Sequence, residues 1–70
     1  MSKIKKTILG KRLMIARQRA GLTQLAVESI TGISQTALSR LENGHRINPR
    51  IHAIGKLATV YNCTIDSLLN

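Results

Sequence analysis

Gly21, Gly32 and Gly44 each stand just past a run of residues with helical apolar spacing, so no helix in this stretch can run for more than a few turns. Helices that short are marginal alone and hold only by burying one face against neighbours. Thr7 is a candidate N-cap for a first helix in which Leu9, Leu13, Ala16 and Ala20 form one buried stripe before Gly21 ends it. Thr23 caps a second helix beginning at Gln24, and Gly32 stops it because glycine takes positive φ without Cβ strain. Ser34 caps a third helix through about Asn43. Asn48 with Pro49 opens a fourth, whose Ile51, Ile54, Leu57, Ala58 and Tyr61 face the core. Asn62 is a left-handed stop, and Thr64 caps a last helix holding Ile65, Leu68 and Leu69. No segment alternates as a strand does. The expected fold is all-α, a compact bundle of five short helices.

Seventy residues suffice for one small domain, with residues 1–6 as a basic arm and 7–70 as the folded unit. There is no Trp or Phe and one Tyr, so the core must be aliphatic. Eleven Lys and Arg against three acids give a net charge of +8, which repels itself and calls for an anionic partner. The single Cys63 cannot close an internal disulfide and fits a reducing compartment, either as a small core residue or as a redox switch. No apolar run spans a membrane and no signal-peptide pattern follows the first lysines, so a soluble, cytoplasmic chain is expected.

The acids Glu28, Glu42 and Asp66 are widely spaced, and only His45 and His52 could act as bases near neutral pH. Metal-ligand spacing, a Gly-rich phosphate loop and a nucleophile signature are all missing from the sequence. Neither enzymatic activity nor a cofactor or metal is expected.

Two helices joined by a tight Gly-containing turn, in a strongly basic domain, make a helix-turn-helix pattern over about residues 24–43. At about 100° per residue, Gln35, Ser39, Asn43, Thr36 and Arg40 fall within an arc of roughly 140° on the third helix, with Leu38 and Leu41 opposite. A solvated helix looks similar on its outer face. The preceding turn and the charge balance favour base reading, for which Gln suits adenine, Arg suits guanine and Ser or Thr suits either. A membrane-active or RNA-binding peptide fits less well, because the charge is not gathered on one face and stacking aromatics are lacking.

Gly21-Leu22-Thr23-Gln24, Thr31-Gly32-Ile33-Ser34-Gln35 and Leu38-Ser39-Arg40-Leu41-Glu42-Asn43-Gly44 closely resemble the phage-repressor and Cro type helix-turn-helix family, also called XRE-like. Asn48-Pro49, Lys56-Leu57-Ala58 and Ile65-Asp66-Ser67-Leu68-Leu69 resemble the rest of that domain, ungapped from about Leu9 to Leu69. The resemblance implies a lambda-repressor-like DNA-binding domain, a small transcriptional regulator acting as a homodimeric repressor on a pseudo-palindromic operator. An antitoxin or restriction-control protein would carry the same domain, and a regulatory protein partner is a further possibility. By the same resemblance Gln35, Thr36, Ser39 and Arg40 are the base readers, and Gln24, Ser34, Asn43, Arg46 and Arg50 grip phosphates. Arg17 and Glu42 would form a structural ion pair fastening the first helix to the third. Ile65, Leu68 and Leu69 are the expected dimer contact.

Several residues keep two readings. Lys3, Lys5 and Lys6 either follow the DNA as an arm or form a frayed end. Arg50 meets a phosphate or enters a narrow minor groove, while His45 is placed near a phosphate and His52 on a helix surface. Glu28 stands where the family usually has Ala. Leu25 and Ile30 point away from the face defined by Val27 and Thr31, which means either an extra contact surface or a register slipped by one residue.

Overall fold

The computed structural model describes residues 8–45 and 51–69. Within them the chain forms α1 (Ile8–Arg19), α2 (Gln24–Thr31), α3 (Gln35–Glu42), α4 (Ile51–Val60) and α5 (Ile65–Leu69), with no strand. Local side chains start the helices as their types dictate. Thr23, Ser34 and Thr64 each accept a hydrogen bond, at 3.0 Å, from the amide three residues on, at Ala26, Ala37 and Ser67. The expected caps at Thr7 and at Asn48 with Pro49 lie outside the described residues.

Three helices end on the same paired backbone bonds. Leu22 N donates to Arg17 O and Gly21 N to Gln18 O. His45 N and Gly44 N do likewise to Arg40 O and Leu41 O, and Cys63 N and Asn62 N to Ala58 O and Thr59 O. Each turn needs a left-handed residue, supplied by Gly21 at φ 74, Gly44 at φ 73 and Asn62 at φ 57. The register of α2 is ungapped: Val27 is fully buried, while Leu25 and Ile30 are 63% and 59% exposed.

Leu13, Val27, Leu38, Leu41, Ile54, Leu57, Ala58, Tyr61 and Leu68 form the core. It is aliphatic but for Tyr61, and Cys63 packs at its edge, half-buried. Helix α1 lies against α3 and α5, α2 against α3 and α4, and α4 against α5. Burial pushes the Tyr61 phenol up to about 12, with the nearby Glu42 carboxylate acting in the same direction.

Three expectations about this core are corrected. Ala20 is exposed, because α1 stops at Arg19 and leaves it lining an open cleft with Ile15, Val60 and Cys63. Ile51 is 57% exposed, since it begins α4 and sits at the edge of the packed layer. Leu68 is 2% exposed and belongs to the core; it shares the inward face of α5 with half-buried Ile65, so only Leu69, at 49%, stands outward.

Candidate nucleic-acid interface

Helix α3 is anchored from beneath by Leu38 and Leu41, both buried. The opposite side carries Gln35, Thr36 and Arg40, all exposed, with Ser39 half-buried between them. The four expected base readers therefore share one outward face. Ser34 Oγ accepts from Ala37 N and keeps its own hydroxyl hydrogen to donate outward.

Beneath this face a single carboxylate gathers three helices. Arg17 Nε donates to Glu42 Oε2 at 2.7 Å and Nη2 to Oε1 at 3.1 Å, a two-pronged pair between α1 and the end of α3. Arg17 Nη1 also donates to Leu22 O at 2.8 Å, in the turn that leads to α2. Gln24 Nε2, the first residue of α2, donates to Glu42 Oε1 at 3.0 Å. The Glu42 side chain is 4% exposed and that of Arg17 14%. The hydrogen bond to Glu42 holds the Arg17 guanidinium above its ordinary range, more than offsetting the opposing effect of burial.

The expected phosphate contacts are distributed differently from the base readers. Gln24 is tied into the Glu42 cluster, leaving one hydrogen of its side-chain amide. Asn43 turns its side chain back, with Nδ2 donating to Ser39 O at 2.9 Å and to Ser39 Oγ at 3.2 Å, so it would have to leave Ser39 to reach a phosphate. Arg46 and Arg50 lie outside the described residues, as do Lys3, Lys5 and Lys6. His45 and His52 are both exposed. Among the described residues no group of three His, Cys, Asp or Glu is placed to hold a metal ion, and no helix is long and apolar enough to cross a membrane.

One contact at this face had no counterpart in the sequence reading. Glu28 Oε1 accepts a hydrogen bond from Gln35 N at 3.1 Å, so a carboxylate of α2 sits at the opening of α3. The available signal was an acid on the second helix of a chain with very few of them.

A family model described as helix-turn-helix matches residues 13–68, which takes in α2, α3 and the helices that support them. The chain belongs to the helix-turn-helix family. This helix-turn-helix chain is 41% identical over 61 residues to the HTH-type transcriptional regulator ImmR of Bacillus subtilis, covering 87% of its own length and 47% of ImmR. It is 31% identical over 61 residues to the HTH-type transcriptional regulator PuuR of Escherichia coli, covering 87% of itself and 32% of PuuR. An uncharacterized HTH-type transcriptional regulator of Haemophilus influenzae is 33% identical over 56 residues, 80% of this chain and 56% of that one. The helix-turn-helix chain thus spans about half or less of these relatives.

Proposed function

We propose that the chain binds double-stranded DNA sequence-specifically and regulates transcription, acting as a homodimeric repressor on a pseudo-palindromic operator. The observation that carries this reading is the outward face of α3, where Gln35, Thr36 and Arg40 stand exposed above a buried apolar foot. The net charge of +8 supplies the attraction to phosphate, and the relatives' role as transcriptional regulators is consistent with it. In this reading Gln35, Thr36, Ser39 and Arg40 meet base edges, while Gln24, Ser34, Arg46 and Arg50 meet phosphates, joined by Asn43 if its amide leaves Ser39.

Selection from a random duplex pool tests the reading, with a palindromic consensus as the expected result. On the selected duplex, Arg40→Ala and Gln35→Ala should each cost about 1–3 kcal/mol and relax one position per half-site. Arg46→Ala should instead weaken selected and random duplexes alike and lower the salt slope by about one. An unchanged base preference in both the Arg40 and Gln35 variants would overturn the assignment of α3.

One such motif reads roughly four or five base pairs, too few for a unique site, and pairing two copies doubles the readout. Of the expected contact residues on α5, Leu69 stands exposed and offers a small contact, with Ile65 half-buried on the same helix and Leu68 already in the core. So small a patch should leave free chains in monomer–dimer exchange at about micromolar concentration, with the operator completing the pair. Sedimentation with and without the selected duplex measures this, and one chain per palindromic duplex at saturation would refute it.

A further inference from the structure

The open cleft between α1, the end of α4 and α5 has a volume of about 700 Å³. Arg12 and Arg19 both line it from α1. Two helical turns separate them, so they stand on one line about 10 Å apart along the axis, with Ile15 between. Buried Tyr61 and Leu68 and half-buried Cys63 make much of the remaining lining apolar, and no acid lines the cleft. Arg12 is half-buried, and its Nη1 reaches Leu68 O only at 3.4 Å, longer than a strong hydrogen bond. Arg19 is exposed and makes no ion pair among the described residues. A basic side chain in the last turn suits the dipole of α1, which accounts for Arg19 but not for Arg12 in mid-helix.

We propose that this cleft docks an amphipathic acidic helix of a partner protein, with two carboxylates on Arg12 and Arg19 and apolar side chains between them over Ile15 and Leu68. The charge complementarity carries the choice of partner: two guanidiniums with apolar surface between them match a helix that has acids at its first and eighth positions and apolar residues at the fourth and fifth. An extended chain fits less well, because its same-face side chains repeat about every 6.6 Å and no pair falls near 10 Å. A second copy of this chain does not supply the match. Its acids are Glu28, Glu42 and Asp66, none of them seven residues from another, and a two-fold contact of the cleft with itself would set guanidinium against guanidinium. A DNA backbone would pair with the arginines but leave the apolar lining uncovered. None of the side chains assigned to base reading lines the cleft, so the proposal stands apart from the reading of α3, and a partner seated here leaves those side chains uncovered.

The test is calorimetric titration with a synthetic Ala-rich helical peptide carrying Glu-x-x-Leu-Leu-x-x-Glu on one face, against the same peptide with both Glu replaced by Gln. An exposed ion pair is worth a factor of roughly two to five, so two pairs should make the Glu peptide bind roughly four- to twenty-fold more tightly. The double variant Arg12→Gln/Arg19→Gln should bring that preference below about twofold while still binding the Gln peptide, which shows that its fold is kept. Lys11→Gln/Lys56→Gln removes the same net charge elsewhere and should keep the preference. Amide chemical shifts on adding the Glu peptide should change at Ile15, Ala20, Val60 and Cys63 and not along Gln35–Arg40. No preference for Glu in wild type, an equal fall in the two double variants, or shifts gathered on α3 overturns the proposal. So does a loss of random-duplex affinity specific to the arginine double variant, which would assign the pair to DNA, or the same shifts on raising the protein concentration alone, which would assign the cleft to a second copy. Arg40→Ala should leave peptide binding within about twofold of wild type. The reading of α3 and the docking cleft therefore fail separately.

Discussion

Glu42→Ala should lower the unfolding free energy by about 3–5 kcal/mol, the cost of stripping the partner from a largely buried charge. The carboxylate accepts from Arg17 twice and from Gln24 once, so its removal leaves a guanidinium and an amide without their acceptor. Arg17→Ala should cost a similar amount, because it leaves Glu42 buried with only the Gln24 amide beside it and also frees Leu22 O. The two losses should not add: the double variant should be far less destabilised than their sum, since either change alone already breaks the pair. Denaturant melts of the four proteins give the coupling directly. Independent, additive losses would mean that the two side chains never meet in solution.

Leu38→Ala is the second large effect, at about 2–5 kcal/mol, because Leu38 is 1% exposed and holds α3 to the core. A domain of this size has roughly 4–10 kcal/mol in all, so the melting temperature should fall by roughly 10 °C or more. Excess operator duplex should restore part of the loss by mass action, provided the altered chain still places Gln35 and Arg40 on the DNA. Leu25→Ala on the exposed side of α2 is the natural control and should change stability by less than about 0.5 kcal/mol. If Leu38→Ala melts like wild type, α3 is not seated as described.

The helix ends were legible in the sequence because capping is local. Thr23, Ser34 and Thr64 bond amides three residues away, and Gly21, Gly32 and Asn62 act on their own backbone, so residue type and spacing carry the information. The face of α3 was legible for a related reason, since its eight residues include a clear apolar foot. Helix α5 was not, because five residues with three apolar side chains do not reveal which of them turns inward, and only packing against α1 and α4 selects Leu68. Periodicity placed Ala20 and Ile51 on buried faces, but each stands at a helix end where burial depends on what lies beyond. The contacts of Glu28 with Gln35 and of Gln24 with Glu42 cross between helices over seven and eighteen residues. The angle of the turn decides whether such groups meet, and no local pattern encodes that angle. Arg17 and Glu42, twenty-five residues apart, were paired in advance only through family resemblance.

Tyr61 has an optical consequence. It is the only aromatic residue in the chain and sits in the core at 6% exposure, so every near-ultraviolet band and all intrinsic emission arise at the junction of α4 with the rest of the bundle. Tyr61 also lines the cleft shared with α1 and α5, whose lining includes none of the side chains assigned to base reading. Emission from the protein therefore monitors one defined spot, and because duplex DNA absorbs in the same near-ultraviolet range but emits negligibly, it is the emission that reports on the protein within a complex. The molecule carries its own unlabelled gauge of whether the interior stays closed while the outer face of α3 is occupied.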